Sequence, residues 1–163
     1  GLRGLGGGAG GSLDKSPPDE RLRPVSPAAI LDTGPLVAFL DRRDRKHAWA
    51  MEALSRVRAP VATCEAVLSE ACFLLRGLRG GPEAVTGLVE RGFLVTPLRI
   101  ERKAAAVGRL LERYASVPMS FADACLVRLS ELLPDAVLIT LDNDFRIYRR
   151  HGRQAIPVSP MPD

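Results

Sequence analysis

The chain has 163 residues, 46% hydrophobic and 26% charged, with a formal net charge of +4 at pH 7. That length fits one domain with a substantial core, and no apolar stretch reaches the roughly 18–20 residues that cross a bilayer. The basic balance is compatible with a nucleic-acid partner, the start of the chain lacks the apolar core of a signal peptide, and the three cysteines lack zinc-ligand spacing.

Residues 1–27 stand apart. Seven of the first twelve are glycine, and Pro17, Pro18, Pro24 and Pro27 follow among charges. This composition predicts a disordered leader, or an expression remnant, ahead of a folded domain over 28–163. Gly6, Gly8 and Gly11 match a dinucleotide-binding spacing, but no strand precedes them and no helix follows. Ser12 is not preceded by lysine, so a P-loop also fails.

From Ala28 the pattern alternates strand and helix. The run AAILD reads as a buried strand. Pro35 then begins an apolar helix through Asp41, and residues 47–57 read as a second helix. PVATC (60–64) is a short strand. A helix over 65–77 stops at Gly77, and another over 82–92 closes at Gly92. FLVTPL (93–98) is a strand, residues 100–115 a helix, and residues 120–133 a further helix. AVLITL (136–141) is a strand and AIPVS (155–159) a last short one. Continuous apolar strands separated by helices predict an α/β fold, a parallel sheet covered on both faces. Cys64, Cys72 and Cys125 fall in apolar surroundings and read as reduced core thiols, which favours the cytoplasm.

Four short acidic clusters punctuate this pattern: LDTG at 31–34, LSEA at 68–71, FADA at 121–124 and TLDND at 140–144. Each acid sits beside small or apolar residues, where a charge is costly unless paired or holding a metal. Asp32 and Asp142 end apolar strands, and parallel sheets bind ligands beyond those carboxyl ends. Glu70 lies on or beside the apolar face of its helix, since Ala66, Val67, Phe73 and Leu74 are its neighbours at i±3 and i±4. Asp123 lies in the first turn of the helix before AVLITL. Bland roles compete. Asp32 can cap the helix that follows, Ser120 and Asp123 form a capping-box pattern, and Asp142 and Asp144 suit a turn. Taken together, the acids suggest a carboxylate cage for a hard divalent cation and metal-assisted phosphodiester hydrolysis.

The four clusters in this order resemble the motifs of the PIN-domain ribonucleases, especially the VapC-type toxins of toxin–antitoxin pairs. ILDTGPLVAFLD resembles the family's opening strand and helix, LSEACFLL its glutamate helix, SFADACLVRL its third motif and TLDNDFRIYRRHGR its fourth, the likeness covering 29–163. The resemblance implies a PIN-like three-layer α/β/α sandwich with a central parallel sheet. It implies catalytic acids at Asp32, Glu70, Asp123 and Asp142, with Asp144 accessory, and Mg²⁺ or Mn²⁺ as the metal. It implies an RNA substrate, a VapB-like antitoxin partner and a homodimer. Thr33, Ser120 and Thr140 are candidates to bond the carboxylates or the phosphate, although each also suits a cap or a strand end.

Arg146, Arg149, Arg150, His151 and Arg153 follow the last acids and suit an RNA backbone, or simply a solvated helix end. His47 reads as a surface helix residue, and no Ser/His/Asp or Cys/His arrangement is evident. Phe39, Trp49 and Phe73 read as core or dimer contacts. A dehalogenase-type phosphatase would need a second aspartate at position 34, where the chain has Gly34. A DNA nuclease and an inactive binding scaffold are the remaining alternatives.

Overall fold

The computed structural model describes residues 25–162. The leader expected over 1–27 lies outside the described residues except for its last three. The described chain runs β1 (Ala29–Leu31), α1 (Thr33–Leu40), α2 (His47–Ser55), β2 (Val61–Ala62), α3 (Glu65–Leu74), α4 (Gly81–Glu90), β3 (Leu94–Val95), α5 (Ile100–Arg113), α6 (Phe121–Leu132) and β4 (Val137–Ile139). A short 3-10 helix (Asn143–Arg146) and a hairpin of β5 (Arg149–Arg150) and β6 (Gln154–Ala155) follow.

Four strands form one parallel sheet in the order β3-β2-β1-β4. Ile30 pairs with Ala62 on one side and Leu138 on the other. All three residues of β1 are buried, as a strand covered on both faces requires. Helices flank the sheet, α1 packing on α2 and α3, α3 on α4, and α5 on α6. The core joins Ile30, Leu31, Val61, Leu94 and Leu138 to Leu36, Val67, Val85, Leu126 and Leu129 from the helices.

Local chemistry explains the element ends. Asp32 has extended backbone angles and caps α1 with its side chain. Ser120 and Asp123 form the capping box expected of them, so α6 starts sharply at Phe121. At the end of α4, Gly92 has φ +72°, which a side chain would resist. The Phe93 and Gly92 N–H groups then donate to the Leu88 and Val89 carbonyls, closing a Schellman motif.

Two expectations are corrected here. The last predicted strand, 155–159, is split. Ala155 pairs antiparallel with Arg149, whereas Val158 bridges β4 in parallel at Leu138. The basic run 146–153 does not end a helix but crosses the 3-10 turn into this hairpin. Arg149 Nη1 donates to the carbonyls of Arg146, Ile147 and Tyr148. Arg150 Nη1 donates to Ser130 and Pro134, satisfying carbonyls left open where α6 ends.

Candidate active site

The strand order places the site. The chain adds β2 and then β3 on one side of β1, and returns to add β4 on the other. The direction therefore reverses between β1 and β4, and the crevice beyond their carboxyl ends is the expected ligand position. Asp32 follows β1 at that edge, and its N–H donates to the Ile139 carbonyl at the end of β4. Thr140 and Asp142 follow β4 there.

Hydrogen bonds run continuously along this edge. Thr33 Oγ1 donates to Glu70 Oε2 at 2.8 Å, while the Thr33 N–H donates to Asp32 Oδ1 at 2.7 Å. Thr140 Oγ1 donates to Asp32 Oδ2 at 2.7 Å and accepts from the Asp142 N–H at 2.9 Å. Asp142 Oδ1 in turn accepts from the Asp144 N–H at 2.8 Å. Two threonines thus connect Glu70, Asp32 and Asp142, which come from three separate elements. Asp123 joins from α6. Its Oδ2 accepts from the Ser120 N–H at 3.0 Å, and Tyr148 Oη donates to the same oxygen over a long 3.4 Å.

The electrostatics tie Asp123 to the same cluster. Asp32 is only 9% exposed, and its pKa is raised to about 6. Burial is the main cause, opposed by the Thr140 and Thr33 hydrogen bonds and reinforced by the charges of Asp123 and Asp142. Asp123 is also raised, by burial first and by Asp142 among the smaller causes. Tyr148 is pushed up by burial and by Asp123, Asp144 and Asp142. That buried phenol faces three acids, yet Tyr148 drew no notice in the sequence. Its immediate neighbours are Ile147 and Arg149, and only Phe145 and Ile147 in FRIYRR are apolar beside it.

The structure brings Asp32, Asp123 and Asp142 into mutual electrostatic contact, sets Asp144 with two of them around Tyr148, and ties Glu70 on through Thr33. It does not draw them into the expected tight cage. Among the described residues, no three Asp, Glu, His or Cys side chains form a ready-made cation site. Like charges repel, and the threonine hydroxyls lie between them. The donor set nevertheless fits a hard divalent ion, because every candidate ligand is a carboxylate oxygen. Glu70 Oε1, Asp123 Oδ1 and Asp142 Oδ2 also accept no hydrogen bond from the described residues.

Glu70 and Phe73 need correction. The helix α3 buries Val67 and Ala71. Glu70 is exposed beside this stripe, and Phe73 and Leu74 are 62% and 57% exposed. Phe73 is therefore not a core residue; the Arg76 guanidinium lies 3.9 Å from its ring centre. Phe39 and Trp49 do pack against the core, Phe39 stacking on Phe93. His47 is half-buried, its Nδ1 2.7 Å from the Ala38 carbonyl. All three cysteines are free thiols. Among the described residues no helix is long and apolar enough to cross a membrane.

A four-stranded parallel sheet flanked by helices, with carboxylates along the carboxyl edge at its switch point, defines an α/β domain. The chain belongs to the PIN-domain family, whose profile matches residues 29–150. PIN domains are generally nucleases, and therefore hydrolases. No curated protein matches the chain.

Proposed function

We propose that this protein is a divalent-metal-dependent endoribonuclease that acts as the toxin of a toxin–antitoxin pair, using Mg²⁺ or Mn²⁺. The observation that carries the nuclease reading is the hydrogen-bonded line Glu70–Thr33–Asp32–Thr140–Asp142 at the sheet's switch point, with Asp123 electrostatically coupled to it. Its setting in a PIN domain supports that reading.

When bound, a divalent ion would supply an activated water and offset charge developing on phosphorus. Asp32, Glu70, Asp123 and Asp142 would hold it, with Asp144 as an outer carboxylate. Thr33 and Thr140 orient these groups, and Ser120 fixes Asp123 through the capping box. Buried Asp32 holds its proton up to about pH 6 without metal, and a bound cation would shift its ionisation to lower pH.

RNA backbone contact falls in this reading to Arg146, Arg149 and Arg150. Arg146 is the exposed member of that run, while the other two already hold backbone carbonyls. A VapB-like antitoxin covering the site would bury the exposed Phe73 and Leu74 beside Glu70. That patch or another would also serve a homodimer.

The test compares single-stranded RNA, single- and double-stranded DNA and a phosphate monoester, each with Mg²⁺, Mn²⁺ or EDTA. RNA alone should be cut, only with metal, and not by Asp123→Asn. Preferential DNA cleavage overturns the ribonuclease assignment. Expression alone should arrest growth and Asp123→Asn should not; equal toxicity of the two would separate any toxin role from this site.

A further inference from the structure

We propose that the groove between α5 and α6 is a phosphate-binding subsite that holds the RNA backbone as it leaves the carboxylate edge. The proposal rests on the ribonuclease reading for its ligand, but not for its geometry. The groove encloses about 520 Å³ and is lined by Arg109, Arg113 and Arg128 with Glu112 and Glu131. Arg109 and Arg113 are four residues apart on α5, so they stand on one face, about 6 Å apart along the axis. Arg113 Nη2 donates to the Gly152 carbonyl at 2.9 Å, which holds that side chain in place.

Arg128 faces them from α6. It is only 19% exposed and pairs through Nη1 with Glu131. Its Nε is buried and finds no hydrogen-bond partner among the described residues. A buried guanidinium N–H without an acceptor is costly, and a planar guanidinium offers donors in a fork that matches phosphate oxygens. Glu131 is already engaged on both oxygens, by Arg128 and by the His151 N–H. Three guanidiniums thus meet two carboxylates, one of which is fully committed. A small rotation of Arg128 would present Nε to an arriving phosphate.

Position selects the ligand. Arg128 lies five residues beyond Asp123 on the same helix, about 7.5 Å along its axis and about 140° around it. A strand with its scissile phosphate at Asp123 would reach the groove by passing over the side of α6. The arginines of the basic run, by contrast, largely support the hairpin and the end of α6.

The experiment measures binding of a fluorescein-labelled single-stranded RNA by anisotropy across a salt series, in an Asp32→Asn background that removes cleavage. Arg109 is exposed and makes no bond to the described residues, so Arg109→Gln should fold. It should lower the slope of log K against log salt by about 0.7, the value for one lost phosphate contact on a single strand. Arg128→Lys keeps the charge but loses the fork, and should weaken binding with the slope retained. Arg58→Gln, in the loop before β2 and away from the carboxyl edge, should leave both unchanged. Equal effects of Arg109→Gln and Arg58→Gln, or no effect of Arg109→Gln, overturn the subsite. If inorganic phosphate raises the melting temperature in an Arg109-dependent way while the RNA slope is unchanged, the groove takes a free phosphate and the RNA assignment is overturned. Cleavage of RNA by the wild type with an unchanged slope defeats the groove alone. The expected slopes without any metal-dependent cleavage defeat the nuclease reading alone.

Discussion

Asp32→Asn should stabilise the metal-free protein at pH 8 while abolishing cleavage. The folded carboxyl holds its proton to about pH 6, against 3.8 ordinarily, chiefly because it is buried. Between those values the native state binds more protons than the unfolded chain, so its stability falls as pH rises through the window. The whole fall is about 3 kcal/mol. Asparagine carries no charge and escapes it. The substitution has its own cost. Oδ1 can still accept the Thr33 N–H, and asparagine caps a helix as well as aspartate. The amide nitrogen replacing Oδ2, however, leaves the Thr140 hydroxyl without its acceptor, a loss of about 1 kcal/mol. The net expectation is a variant roughly 1 kcal/mol less stable than wild type near pH 4 and about 2 kcal/mol more stable at pH 8. In a domain of this size the latter is about 6 °C in melting temperature. Thermal denaturation in EDTA from pH 4 to 8 reads the crossing directly. Adding Mn²⁺ should raise the wild-type melting temperature by mass action and the variant's much less. A variant that is less stable by one constant margin at every pH would mean that Asp32 merely caps α1. The electrostatic case for an acid cluster would then fail.

Glu70→Gln and Asp123→Asn should each reduce RNA cleavage at least ~100-fold with an unchanged far-UV circular dichroism spectrum; near-normal rates in both would remove them from the site. Thr140→Val should cost about 1–3 kcal/mol in urea denaturation, because it leaves both Asp32 Oδ2 and the Asp142 N–H unpaired. It should also move the acid limb of the pH–rate profile upward, since that hydroxyl holds the Asp32 pKa down. Arg150→Ala should destabilise by about 1–2 kcal/mol through the lost bonds to Ser130 and Pro134. A stability change near zero would return Arg150 to the solvent-facing surface.

The sequence by itself determined the elements up to β4 and two of the acids' positions. Runs such as AAIL and AVLIT read as strands of a covered sheet, and an aspartate ending such a strand lies at the sheet's carboxyl edge. Ser120 and Asp123 were legible as a capping box because three residues suffice to build one. These are short-range effects, set by backbone geometry and burial within a few residues. What only the tertiary structure decided is long-range. The order β3-β2-β1-β4 creates the switch point, and no local pattern specifies which side of β1 receives β4. The Thr140–Asp32 bond spans 108 residues of sequence, and the Thr33–Glu70 bond spans 37. Either threonine alone reads equally well as a strand end or a cap. Glu70 and Phe73 misled for the opposite reason. Apolar periodicity marks a helix face but not whether a neighbour covers it, and α3 leaves that part of its face open. Tyr148 and the carbonyl-bound arginines were hidden because their roles depend on α6 lying alongside the hairpin, which packing settles after the local elements have formed.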